Sequence, residues 1–327
     1  MIKEVCWGFI GCGDVTEKKS GPAFNKVEGS RVGAVMRRNG KLAKDYAHRH
    51  NIPKWYDDPD KLLSDPEVNA IYIATPPLYH KEYTIRALEA GKPVYVEKPM
   101  AASYEDCLEM NLAAQKAGLP IFVAYYRRTL PYFLKVRELI ESGKVGKIRL
   151  VRMKLLQPPR PEDLNSDEPP WRLMPEIAGG GYFYDMACHQ IDFIYFLFGE
   201  IKEINSLVRN FAGLYKPEDT VFANMAFENG VLLHGSWSFT APVQAKADFI
   251  EMIGEKGKIT FSTFDLRPII INSSEVSATY NIAHPENIQQ YMISSVVDEL
   301  FGRGKCPSTG KTGAYTNWVM DKVLGKI

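Results

Sequence analysis

The sequence predicts an α/β chain of two domains, and three observations predict it. The length is 327 residues at ~150 residues per domain. Strand-like and helix-like segments alternate through the first 124 residues, as parallel βαβ units require. Strand-like segments separated by tight turns then fill much of the second half. The boundary is expected at 124/125, giving domains 1–124 and 125–327. Hydrophobic residues at 45% and charged residues at 24% are an ordinary globular composition, so the chain can bury a core.

Residues 6–10 are small or apolar and read as the first strand. They run into Gly11-Cys12-Gly13-Asp14-Val15-Thr16, a glycine-rich turn directly after a strand. In a dinucleotide site the first glycine of such a turn permits the bend and the second lets the backbone approach a pyrophosphate. A small third residue then lets helix close on strand; Thr16 stands there and departs from the pattern. A glycine turn with no ligand is the plain alternative. Residues 31–36 read as a strand, 41–50 as a helix, 69–74 as a strand and 79–90 as a helix ended by Gly91. Residues 94–97 follow as a strand, 104–117 as a helix ended by Gly118, and 121–124 as a strand.

In open parallel sheets ligands bind beyond the carboxyl ends of the strands. After the second strand stand Arg37-Arg38, where an acid for the ribose hydroxyls is usual. Two guanidiniums suit a 2′-phosphate, so NADP(H) is expected over NAD(H); a solvated basic turn is the alternative. After 69–74, Thr75-Pro76-Pro77 and His80 set a hydroxyl and an imidazole at the same edge. Glu97-Lys98-Pro99 ends the next strand, and an ammonium there can donate to a substrate oxygen beside the nicotinamide. An ordinary surface lysine is the alternative. The expected cofactor-binding residues are Gly11, Gly13, Asp14, Val15, Arg37, Arg38, Thr75, Pro76, His80, Glu97 and Lys98.

Charge and segment length narrow the partners. Lys plus Arg number 40 against 39 acidic residues, a balance with no basic field for nucleic acid. The most apolar later stretch, 193–198, is six residues where a membrane-crossing helix needs ~20. Met1-Ile2-Lys3-Glu4 leads into a strand without the pattern of a secretory signal. Five cysteines with no C-x-x-C pair spell neither a disulfide framework nor a zinc ribbon. A cytoplasmic protein with no membrane partner is expected.

In the second half, 147–156 reads as a strand and the proline-rich 157–170 as a long loop, of a length often functional, ending in Trp171-Arg172. Gly179-Gly180-Gly181 then precedes a segment bearing Asp185, His189 and Asp192. If 185–198 is helical, Asp185, His189, Asp192 and Phe196 fall at i, i+4, i+7 and i+11, on one face. A carboxylate beside an imidazole suits a general base for an alcohol proton. A helix-terminal acid with a buried histidine is the alternative. A metal site is set aside, because no further His or Cys clusters there. Segments 201–209, 220–227, 231–239, 248–253 and 258–262 read as a meander, and 285–301 and 312–324 as closing helices.

Gly11-Cys12-Gly13, Ala74-Thr75-Pro76-Pro77 with His80, and Ala90-Gly91-Lys92-Pro93-Val94 running into Glu97-Lys98-Pro99 resemble the glucose-fructose oxidoreductase and inositol dehydrogenase family. The likeness continues at Gly179-Gly180-Gly181-Tyr182-Phe183-Tyr184-Asp185, His189 and Asp192, so it spans nearly the whole chain. It implies an N-terminal Rossmann domain and a C-terminal α/β domain on an open, mostly antiparallel sheet. It further implies that Lys98, Asp185 and His189 are catalytic, with His189 the general acid/base. Lys98, Trp171, Arg172, Asp185, His189 and Asp192 are then the residues facing substrate. The expected activity is NAD(P)-dependent hydride transfer to or from a sugar, cyclitol or related compound by a homo-oligomer, a dimer or tetramer. A cofactor-assisted glycosidase and a non-enzymatic dinucleotide sensor are the other readings; a sensor has no need of Lys98, Asp185 and His189 together.

Overall fold

A computed structural model describes residues 4–164, 169–265 and 267–327. The chain divides into two compact units, Met1–Leu130 with Pro285–Asn317, and Pro131–His284 with Trp318–Ile327. A single cut at 124/125 therefore does not follow the packing. The segment from Pro285 returns to the first unit, where the Ser308 hydroxyl donates to the Val123 carbonyl at 2.8 Å and Thr309 bridges Phe122 of its edge strand.

The first unit is built on six strands: β1 Val5–Ile10, β2 Ser30–Met36, β3 Lys54–Tyr56, β4 Ala70–Ile73, β5 Val94–Val96 and β6 Ile121–Val123. They pair in parallel in the order β3-β2-β1-β4-β5-β6. β1, β4, β5 and β6 are buried at every position, the mark of a parallel sheet covered on both faces. Trp7, Phe9, Phe24, Tyr72 and Tyr95 form one aromatic cluster, and the indole N–H of Trp7 is satisfied by the Ser30 hydroxyl at 3.0 Å. β3, too short and half-exposed to show a pattern, was not foreseen.

The second unit holds eight strands: β7 Ile148–Leu156, β8 Ile201–Arg209, β9 Thr220–Phe227, β10 Leu232–Ser238, β11 Ala247–Gly254, β12 Gly257–Phe261, β13 Ile269–Ser273 and β14 Ser277–Tyr280. Their order is β14-β13-β12-β11-β7-β10-β9-β8. β8 to β10 and β11 to β14 are each a meander, but β7 sits between them, parallel to β10 and antiparallel to β11. Burial alternates along β9, so one face is core and the other faces out. On the inner face the buried Trp237 donates to the Gln190 side-chain carbonyl at 2.8 Å. Among the described residues no helix is long and apolar enough to cross a membrane.

Candidate functional site

Because the first sheet is parallel, the loops after β1, β2, β4 and β5 leave one edge, and these loops carry the cofactor candidates. Gly11 turns with φ at 92°; a Cβ there would stand 2.9 Å from the Ala74 carbonyl group, so glycine alone lets the β1 loop lie against the β4 loop. Gly13 is extended, and a Cβ on it would project into open space with nothing within 4 Å. Thr16, the departure from the three-glycine pattern, is buried and its hydroxyl donates to the Gly13 carbonyl at 2.8 Å. The close approach falls instead to Gly21, where a Cβ would collide with the Thr16 carbonyl. Asp14 is exposed and Val15 half-buried at the head of the short helix that follows.

The two arginines after β2 divide. Arg37 Nη1 donates to the Cys12 carbonyl at 3.1 Å and ties down the glycine loop. The Arg38 guanidinium lies over the Tyr79 ring, 5.0 Å from its centroid. Both side chains are exposed, and neither forms an ion pair among the described residues. Beyond β4, Pro76 is half-buried, and Thr75 Oγ1 is buried without a hydrogen-bond partner among the described residues. A buried hydroxyl left unsatisfied is costly unless a ligand completes it. An open Gly13, an unsatisfied Thr75 hydroxyl and exposed guanidiniums fit a dinucleotide phosphate and ribose.

His80 and Glu97, also at this edge, are both buried. His80 is fully buried; Nε2 lies 2.8 Å from the Thr75 carbonyl and Nδ1 lies 3.1 Å and 3.2 Å from those of Pro99 and Met100. Burial pushes its pKa below the ordinary histidine value, against the pull of these carbonyls. The ring thus ties the Thr75 loop to the segment after Lys98. Glu97 is buried as well, and Oε1 accepts from the Tyr72 hydroxyl at 2.7 Å. Lys98 follows, half-buried, before a cis Lys98–Pro99 peptide. Arg127 and Arg128 of the Tyr125-Tyr126-Arg127-Arg128 run are buried; Arg128 donates to the Pro307 carbonyl at 2.8 Å. Tyr72 escaped sequence reasoning, although a tyrosine in a continuously buried strand must find a partner for its hydroxyl.

In the second unit the structure brings Trp171, Arg172 and Asp185 together. The Arg172 guanidinium stacks on Trp171 at 4.4 Å, and its Nε lies 3.3 Å from Asp185 Oδ2. The expected uninterrupted helix is corrected here: Phe183–Ala187 is a π-helical turn, and the α-helix runs over Cys188–Phe198. Such wider turns recur at functional sites. His189 and Asp192 are buried. The His189 ring meets Phe264 edge to face at 6.0 Å. Phe264 is held in turn by Asp248, whose carboxylate accepts the backbone N–H of Thr263, Phe264 and Asp265 at 2.6–3.1 Å. The loop after β7 is anchored where Tyr182 donates to Asp163 at 2.5 Å and Arg160 lies over the Tyr182 ring. Its residues 165–168 lie outside the described residues, as do 1–3 of the chain start. Among the described residues no group of three or more His, Cys, Asp or Glu is placed to hold a metal.

A family model described as an oxidoreductase family with an NAD-binding Rossmann fold matches residues 5–125, and one described as the GFO/IDH/MocA C-terminal domain matches 133–260. The chain is 37% identical over 329 residues to oxidoreductase P35 of Formosa agariphila, covering 99% of this chain and 100% of that one. It is 26% identical over 318 residues to a 1,5-anhydro-D-fructose reductase of Ensifer adhaerens, covering 95% and 92%. The crystal structure of an aldose-aldose oxidoreductase from Caulobacter crescentus shares the fold with a TM-score of 0.87 at 21% identity, over 98% of this chain and 97% of that one.

Proposed function

The chain belongs to the Gfo/Idh/MocA family of oxidoreductases, and on that premise we propose that it moves a hydride between NADP(H) and the carbinol or carbonyl carbon of a sugar, cyclitol or related compound. The observation that carries the reading is the cradle after β1 and β4: an open Gly13, a Gly11 that no other residue can replace, and a buried unsatisfied Thr75 hydroxyl. Bound there, the nicotinamide supplies or accepts the hydride. Lys98 donates to the reacting oxygen, His189 exchanges its proton, and Asp185 is held in orientation by Arg172. A sugar-like substrate agrees with the reductase named among the relatives. Arg38 favours the 2′-phosphate, as an exposed planar donor set with no carboxylate paired to it among the described residues.

The test is turnover on a panel of aldoses, anhydro-sugars and cyclitols with both cofactors, beside Lys98→Ala and His189→Ala. Each substitution is expected to lower kcat by about 10²–10⁴-fold with cofactor affinity within a few-fold. Near-native turnover in either variant removes that residue from the mechanism. Binding of neither nicotinamide nucleotide removes the hydride source and overturns the reading.

The outward face of the second sheet leaves Leu150, Leu207, Phe222 and Leu232 41–66% exposed. A second copy of the chain covers such a face in our reading, giving a dimer or tetramer. Light scattering on wild type and on Leu207→Asp with Phe222→Asp checks it; wild-type monomer at micromolar concentration refutes it.

A further inference from the structure

Glu97 is a carboxylate buried in the first unit, and its partners come from distant parts of the chain. Oε1 accepts from the Tyr72 hydroxyl at 2.7 Å and from the Gln289 amide at 2.6 Å. Gln289 is itself held, because the Tyr95 hydroxyl donates to its side-chain carbonyl at 2.8 Å. The other oxygen, Oε2, accepts the backbone N–H of Lys98 at 3.2 Å. Tyr72, Tyr95 and Gln289 are each no more than 1% exposed. Gln289 precedes the helix Gln290–Leu300 in the returning segment and belongs to none of the motifs that point to a cofactor.

A buried carboxylate keeps one orientation only while its acceptor sites are filled. Here two donors pin one oxygen, and the other is left to the main chain of the residue that carries the proposed acid. We propose that Gln289 is a positioning residue for Lys98, acting through Glu97. The proposal rests on Lys98 being an acid/base group. It adds that the returning segment 285–317 supports that group. The titratable groups facing Glu97 are Tyr72 of β4, Tyr95 of β5 and His80 of the helix His80–Glu89. Burial raises both tyrosines well above their ordinary value, so they remain donors throughout the working range.

The test uses the full chain as Gln289→Glu, Gln289→Met and Tyr95→Phe. The first readout is the rate at which the Lys98 amine takes up isotope-coded reductive methylation, read by peptide mass spectrometry from pH 6 to 9 with the other lysines as reference. The second is kcat over the same range, with cofactor Kd by nicotinamide fluorescence. In Gln289→Glu a protonated carboxyl donates to Glu97 at low pH and reproduces the native bond. Once that shared proton is lost on raising the pH, the two carboxylates repel. Its Lys98 labelling profile should therefore match wild type at pH 6 and depart above that ionisation. There kcat should fall about 10- to 100-fold, the size expected for a misplaced catalytic group, with Kd within threefold. Gln289→Met should depart at every pH. Tyr95→Phe, which keeps the ring, should depart in the same direction by less and decides the matter if the Gln289 variants do not fold. Labelling profiles superimposable on wild type in the folded variants overturn the inference. A wild type without turnover on any substrate overturns the functional reading instead, while labelling still decides the role of Gln289.

Discussion

Replacing Arg37 and Arg38 one at a time tests whether a loop-holding arginine stands beside one that reads the 2′-phosphate, as proposed. A guanidinium–phosphate hydrogen bond contributes about 1.5–3 kcal/mol when shielded. Arg38 is exposed on the Tyr79 ring, and solvent screening reduces this to about 1–2 kcal/mol. Arg38→Ala should thus weaken NADPH binding about 5- to 30-fold and leave NADH nearly unchanged, since NADH has no 2′-phosphate. Arg37 has a different partner, the Cys12 carbonyl at 3.1 Å within the glycine loop. Its loss removes about 1 kcal/mol of loop support, so Arg37→Ala should weaken both cofactors about fivefold. The assay is equilibrium titration followed by nicotinamide fluorescence at two salt concentrations, because the Arg38 contribution should shrink with salt. Equal weakening of NADPH and NADH in Arg38→Ala, or loss of all preference in Arg37→Ala alone, refutes the division.

The two glycines of the turn should respond oppositely to alanine. Gly11→Ala meets the Ala74 backbone at a positive φ and should destabilise the protein by about 2–5 kcal/mol in a denaturant titration. Gly13→Ala meets nothing, and should melt like wild type while cofactor affinity falls more than about tenfold. Glu17 accepts both terminal nitrogens of Arg49, at 2.6 Å and 3.0 Å, and stands 2.8 Å from His50 Nε2. The Arg49 bonds hold its pKa below the ordinary 4.5, so its contribution is complete above that value and is lost as pH falls through the lower folded one. Glu17→Gln should lower the melting temperature by about 1–4 °C at pH 7, and the difference should shrink as pH falls below 4.5 and Glu17 takes up its proton.

The Rossmann half was legible because its signals are local. A strand, two glycines and the residues that end later parallel strands must lie on one sheet edge once the βαβ order is recognised, so Gly11, Thr75 and Lys98 could be placed from the order of elements alone. The short half-exposed β3 carries too few residues to show a period, and nothing local announces that β7 pairs between β10 and β11. Residue spacing suggested an unbroken helix from Asp185, whereas the π turn that precedes Cys188 depends on how the glycine-rich segment packs. Resemblance pointed to Lys98, Asp185 and His189 as candidates, but it was silent on what holds them.

Composition, strand order and the glycine turn were enough to determine the α/β class, the parallel sheet and the edge on which a dinucleotide would sit. Tertiary structure alone decided that His80 and Glu97 face inward, that Arg37 serves the loop while Arg38 faces solvent, and that Gln289 closes on Glu97 from 192 residues away. Backbone periodicity and turn chemistry are written in neighbouring residues. A buried hydrogen bond is satisfied by whichever group the completed fold brings within reach, and that partner leaves no mark in the local sequence.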